Sequence, residues 1–218
     1  MMKLHWSPRS PYVRKVMVCA HELNLVSRIE QVRTVAAMLQ PNERLMRDNP
    51  LSKIPTLVQD DGSTLFDSAV ICEYLNDLAG GPLFPREGAA RWQALRWHAL
   101  ADGLLDALIL WRNERERDQP LQAMMDAFEV KTHAAIGQLE SEVAALGVAP
   151  LSIGVLTIGC ALGAVPLSIA HVTIGCALGY LDYRFGALKW RDQAPQLAAW
   201  NAQFSERPSM KATIPVDQ

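Results

Sequence analysis

The 218-residue chain is half apolar, with a formal charge of −2 and a pI near 6.2, so it has ample material for a core and no run of Lys or Arg longer than a pair. That balance argues against a nucleic-acid footprint or a patch for an anionic membrane, and leaves a small molecule or another protein as the expected partner. Cys19, Cys72, Cys160 and Cys176 lack metal-ligand spacing and stand in apolar helical contexts, so buried free thiols of a reducing compartment are expected, and no metal. The apolar run before Ser7 is too short for the core of a secretory signal, and a cytoplasmic protein is expected.

In chain order, residues 2–6 read as a strand, and from Ser10 the period changes. Val13, Val16, Met17, Ala20 and Leu23 then form one helical stripe of roughly four turns. A strand over 28–32, a short helix over 41–46 and a hairpin through TLV, Asp61-Gly62 and TLF follow, and a helix starts near Ser68. The first 79 residues thus read β-α-β-α-β-β-α. The stretch AGGPLFPREG, 79–88, breaks the pattern and marks a linker over 80–88. Beyond it come amphipathic helices over 89–117 and 121–146, and a last one over 195–204 with Pro195 in its first turn. The fold class is therefore α/β followed by an all-α bundle, with domains at 1–79 and 89–218.

Three junctions in the first half carry chemistry. Ser10 before Pro11 is a good helix cap. It also stands where a first strand hands over to a first helix, facing the usual ligand crevice of an α/β sheet, and its hydroxyl could donate to an anion there. Ser7 ends the strand and ranks second. In NPLSKIPTL, 49–57, Pro55 enters a strand without a ladder donor and leaves the backbone of Ile54 free for an extended ligand; spacing alone does not choose between a cis and a trans bond. In FDSAVICEYL, Asp67 or Ser68 caps the next helix and the other is free, which suits a zwitterionic amino-acid head.

Taken together, S-P-Y-x-R-K, N-P-x-x-K-I-P, F-D-S-x-x-I-x-x-Y-L, the Gly/Pro linker and A-L-A-D-G-L-L-D-A in a helical half resemble a bacterial glutathione S-transferase over nearly the whole chain. The resemblance implies a thioredoxin-like domain followed by a helical domain, in a homodimer that takes glutathione as co-substrate and a small electrophile or peroxide, for detoxification. It also implies roles for residues. Ser10 would hydrogen-bond glutathione sulfur and hold it as thiolate, and Pro55 would be a cis-proline whose neighbour Ile54 pairs with the cysteinyl backbone. Asp67 and Ser68 would clamp the γ-glutamyl head, and Lys53 would meet the glycyl carboxylate. Tyr12, Asp102 and Trp111 are candidates for a second-substrate pocket between the domains, against plain core packing or helix surface. Serine at position 10 goes with conjugation or peroxide reduction, whereas cysteine there marks thiol-disulfide reductases. The other reading is a non-catalytic relative that binds a ligand or a regulatory partner.

One feature departs from the family. PLSIGVLTIGCALG from Pro150 is followed at a period of 16 by PLSIAHVTIGCALG from Pro166, with 11 of 17 positions identical. No Asp, Glu, Lys or Arg occurs from Val143 to Leu181, yet the 15 residues between the prolines are too few to cross a hydrocarbon layer about 30 Å thick, so no membrane span is expected. A tandem duplication, 151–166 and 167–182, is inferred, with the second copy as the central helix of the second domain. The family opens that helix with a Ser/Thr-x-x-Asp capping box. Here Ser152-x-x-Val155 and Ser168-x-x-His171 complete it in neither copy, and His171 is either a protonatable substitute or, the favoured reading, a neutral core residue.

Overall fold

The computed structural model describes residues 1–147 and 165–217. They form two compact units, one of Met1–Phe84 with the chain from Lys211 onward, the other of Pro85–Met210. The division falls inside the Gly/Pro-rich stretch, and the C-terminal tail joins the first unit rather than the helical one. There Arg14 Nε donates to Thr213 Oγ1 at 3.4 Å.

The first unit is thioredoxin-like. Its elements are β1 (Met2–Trp6), α1 (Pro11–Glu22), β2 (Ile29–Arg33), α2 (Glu43–Met46), β3 (Thr56–Val58), β4 (Thr64–Leu65) and α3 (Ser68–Ala79), and the sheet order is β2-β1-β3-β4. β1 runs parallel to β2 with Leu4 opposite Gln31, and antiparallel to β3 with Leu4 opposite Leu57; β4 returns antiparallel to β3 with Leu57 opposite Leu65. The alternation of a half-buried strand puts Met2 and Leu4 inward, against buried Val13, Val16 and Met17 of α1 and Ile71, Cys72 and Leu75 of α3. This register brings the carboxyl end of β1, the start of β3 and the end of β4 to one edge of the sheet. α3 ends at Gly80, which takes the left-handed conformation at φ 58° that a side chain disfavours, and Gly81 N–H closes the turn onto the Asn76 carbonyl at 2.8 Å.

The second unit is helical: α4 (Gly88–Arg115), α5 (Gln122–Leu146), α6 (Ile169–Arg184), α7 (Trp190–Gln193), α8 (Pro195–Ser205) and α9 (Pro208–Lys211). The second copy of the duplication makes α6, and the first copy lies outside the described residues except for its last two positions. α6 is apolar on every side and is buried from Ile169 to Leu178, as a helix without a polar face must be. Gly175 lets α8 come close: a Cβ there would stand 2.6 Å from the Phe204 ring. Several polar groups inside are matched across helices. Thr173 donates to the Ile169 carbonyl and accepts from His98 Nδ1, both at 2.8 Å. Glu140 of α5 takes the first amides of α8, Gln196 N at 3.1 Å and Leu197 N at 2.6 Å. Glu142 holds Arg96 and Trp97 of α4, and these bonds keep its carboxyl down at about 2. No described helix is long and apolar enough to cross a membrane. Cys19, Cys72 and Cys176 are buried and form no disulfide among the described residues, and Cys160 lies outside them.

The start of α6 corrects the expectation that its capping pair is incomplete. Ser168 N–H donates to His171 Nδ1 at 3.1 Å, so the imidazole fills the place of the usual carboxylate in a capping box. His171 Nε2 meets the Leu146 carbonyl at 3.0 Å. A carbonyl only accepts, so Nε2 carries the proton and Nδ1 is the bare acceptor. The ring is thus neutral, as expected of a core residue, and burial pushes its pKa below the usual imidazole range, with the Arg207 charge adding to the effect.

A lowered folded-state pKa means that this contribution is complete above the unfolded value of about 6.5 and is lost as pH falls below it. The melting temperature should therefore drop between pH 7.5 and pH 5, and His171→Asn, which keeps an acceptor but does not titrate, should flatten that slope in calorimetry. Parallel slopes for the two proteins would show that His171 does not titrate on unfolding.

Candidate functional site

Ser10 is the N-cap of α1, with extended backbone at φ −81° and ψ 119° and Pro11 as the first helical residue. Its Oγ accepts from Val13 N–H at 3.3 Å, and its carbonyl accepts from Arg14 N–H at 3.0 Å. The oxygen is thereby engaged, while the hydroxyl proton meets no acceptor among the described residues. A half-buried O–H is left to donate at the positive end of a three-turn helix. Ser7 Oγ is likewise engaged, accepting from Arg33 Nη1 at 3.3 Å, but it follows the strand end instead of capping a helix; the Arg33 guanidinium lies over the Trp6 ring, so Ser7 braces that end.

The Ile54–Pro55 bond is cis, which decides between the two geometries that spacing left open. Ile54 stands before the first ladder pair of β3, His5 opposite Thr56. The exposed Lys53 side chain rises from a backbone tied down by a residue to which the sequence reading assigned no role. Asn49, 1% exposed, donates from Nδ2 to the Lys53 carbonyl at 3.1 Å and to Thr56 Oγ1 at 3.0 Å, and its Oδ1 accepts from Leu51 N–H at 3.0 Å. Thr56 Oγ1 also donates to the Lys53 carbonyl, at 2.8 Å. One signal for Asn49 was available: an Asn at the head of a Pro-containing loop supplies local bonds to its own turn.

Asp67 is the N-cap of α3 and accepts from Ala69 N–H at 3.0 Å, while Ser68 opens the helix and is 2% exposed. The carboxylate of Asp67 reaches solvent. By register, then, Ser10, the Lys53–Pro55 segment and Asp67–Ser68 gather at one sheet edge, at the amino ends of α1 and α3. Tyr12 belongs to the first unit, half-buried with Lys15 Nζ 5.8 Å from its ring centre. Asp102 and Trp111 belong to α4 of the second. Asp102 is half-buried, and Trp111 is buried with its ring 4.9 Å from that of Phe185.

A cavity of about 190 Å³ beside Ser10 is walled by Trp6, Ser7, Arg14, Met17, Thr213 and Ile214 among others. That is smaller than the roughly 300 Å³ at which small-molecule sites begin. A larger recess of about 480 Å³, around Asp182 and Lys189, belongs to the helical unit. Its Asp182 is already bonded to Trp190 Nε1 and Arg191. No group of His, Cys, Asp and Glu among the described residues has the arrangement of a metal site.

Both halves of this architecture match a known family. Residues 9–78 match the N-terminal domain of glutathione S-transferase, and residues 122–200 match its C-terminal domain. A glutathione transferase family member from Pseudomonas fluorescens Pf-5, solved with bound glutathione, is 39% identical, superposes with a TM-score of 0.85 and is covered over 100% of both chains. The chain belongs to the glutathione S-transferase family. A structure of a family member from the same organism with bound S-(propanoic acid)-glutathione is 38% identical, at a TM-score of 0.81, over 99% of this chain and 100% of that one. Among curated proteins, the uncharacterized GST-like protein YibF of Escherichia coli K12 is 29% identical over 98% of both chains.

Asn49 holds the Lys53–Pro55 turn through two donated bonds. Asn49→Asp keeps the acceptor for Leu51 and loses both donors. At roughly 1 kcal/mol per lost bond it should lower the melting temperature by about 4–8 °C, as measured by calorimetry. An unchanged melting temperature would mean that the turn holds its shape without Asn49.

Proposed function

We propose that the protein is a glutathione transferase in which Ser10 holds the glutathione sulfur as thiolate for attack on a small electrophile or a peroxide. One observation carries this reading: the Ser10 oxygen is occupied by Val13 N–H, and its proton is left to donate at the amino end of α1. Relatives solved with glutathione and with an S-substituted glutathione support the ligand. Ile54 would pair with the cysteinyl backbone beside cis-Pro55. Asp67 would take the γ-glutamyl ammonium and the amino end of α3 at Ser68 its carboxylate, with Lys53 at the glycyl carboxylate. The protein is read as a cytoplasmic homodimer, and its buried thiols, in no disulfide among the described residues, suit a reducing compartment.

The chemistry follows from charge. A thiol with a pKa near 8.5 is mostly protonated at neutral pH, and only the thiolate attacks. Lowering that pKa by about two needs roughly 2.7 kcal/mol. A charge-assisted hydrogen bond from Ser10 supplies about 1.5–3 kcal/mol and the helix dipole a further 0.3–1 kcal/mol, so the two suffice and the serine stays protonated throughout. The thiol proton leaves to solvent, the sulfur lone pair forms the new bond to carbon, and the leaving group departs with its electrons.

Ser10→Ala should lower kcat/KM for a chlorinated nitroaromatic by about 10- to 100-fold and return the pKa of bound glutathione toward about 8.5, read from ultraviolet thiolate absorbance. Retention on immobilised glutathione without turnover of any electrophile or peroxide would leave a binding protein in place of the enzyme. Ser10→Cys places a second thiol at the sulfur and should raise thiol-disulfide exchange from near nothing. Strong exchange in the unmodified protein would move the chemistry away from Ser10.

A further inference from the structure

The carboxyl ends of α4 and α6 bring together Arg112, Arg115, Tyr180, Tyr183 and Arg184 within the helical unit. Arg112 Nη1 donates to the Tyr180 hydroxyl at 3.4 Å, and Arg184 Nη2 donates to the Tyr183 hydroxyl at 2.7 Å with its guanidinium 3.8 Å from that ring centre. Arg115 Nη2 donates to the Arg184 carbonyl at 3.3 Å. Part of this is ordinary, because cations at a helix carboxyl end complement its dipole and take its last carbonyls, as Arg115 does.

Two donors are left over. Tyr180 is 1% exposed, its oxygen accepts from Arg112, and its own proton meets no acceptor among the described residues. Arg112 Nε is buried without a hydrogen-bond acceptor; the nearest carboxylate, Glu116, stands off at 3.6 Å with most of its side chain in solvent. Buried donors without acceptors are rare in folded proteins and call for a cause, of which a missing ligand is one. The charges of Arg112 and Arg184 both act on the Tyr180 hydroxyl, opposed by Glu116, and two guanidinium groups against one carboxylate suit an anionic acceptor. Burial pushes the Tyr180 phenol above its usual pKa, which keeps it a donor.

We propose that Arg112, Arg184 and Tyr180 form a site for the carboxylate of a small molecule. A carboxylate has two oxygens in one plane, one for the phenol O–H and one for the guanidinium, a pairing that arginine favours. A phosphate dianion fits less well, because the carbonyl ends of two helices repel its second charge. The Tyr183 ring lies under the Arg184 guanidinium, and buried Phe185 lies 4.8 Å from that of Arg115.

The test is thermal unfolding of the full chain in sodium acetate, sodium benzoate and sodium sulfate, each against sodium chloride at matched ionic strength. It compares wild type with Tyr180→Phe, which removes one hydroxyl and keeps the buried ring. Wild type should melt about 3 °C higher at a carboxylate concentration about ten times its Kd, and Tyr180→Phe should lose most of that rise. Arg112→Gln should lose it too; if that variant does not fold, Tyr180→Phe decides. A larger effect of benzoate than of acetate identifies an acid on an apolar body, and equal effects identify the carboxylate head alone. No rise in wild type, an equal rise in Tyr180→Phe, or a wild-type-minus-variant difference largest in sulfate would overturn the proposal.

Discussion

The register of four short strands is the constraint on which the rest of the first unit depends. Because Leu4 faces Gln31 on one side and Leu57 on the other, with Leu65 beyond, the carboxyl end of β1, the start of β3 and the end of β4 fall at one edge. A slip of one residue would turn Met2 and Leu4 to solvent and separate those three ends. Each end is then finished by a side chain that serves a backbone need. Ser10 and Asp67 cap helices, and Asn49 satisfies a turn. The edge is rich in oriented donors because helices and strands that end together leave their amides there.

The helical unit meets a different constraint. α6 is too apolar over Ile169–Leu178 to face water, and its amino end is buried, so its polar groups there take partners from neighbouring helices. His98 reaches Thr173, His171 bonds both Ser168 and the Leu146 carbonyl, and Trp200 Nε1 donates to the Gly147 carbonyl at 2.9 Å. A neutral imidazole can stand where a carboxylate usually caps because only one acceptor nitrogen is needed, while the other nitrogen gains a bond that a carboxylate could not make. The same accounting leaves the Tyr180 proton and Arg112 Nε without acceptors, as it leaves Thr132 Oγ1 and Asn201 Oδ1 without partners among the described residues.

Local chemistry and periodicity made most of the elements legible. Val13, Val16 and Met17 lie on one helical face whatever they pack against, Asp61-Gly62 makes a turn on its own, and Ser10-Pro11 opens a helix by its own hydroxyl and its missing amide. The four ordered motifs carried the family with them. Spacing alone could not choose the isomer at Pro55, assign the cap between Asp67 and Ser68, or give Asn49 a role. Each of those turns on which acceptor or strand end lies nearby in space.

The sequence by itself therefore determined the α/β-then-helical order, the capped start of α1 and the duplicated segment, because these rest on interactions within a few residues. Only the tertiary structure decided that His171 Nε2 meets the Leu146 carbonyl, that the tail beyond Lys211 joins the first unit, and that Tyr180 meets Arg112 across 68 residues of chain. Those outcomes depend on which buried donor finds which acceptor once distant segments are brought together, and no local pattern encodes that.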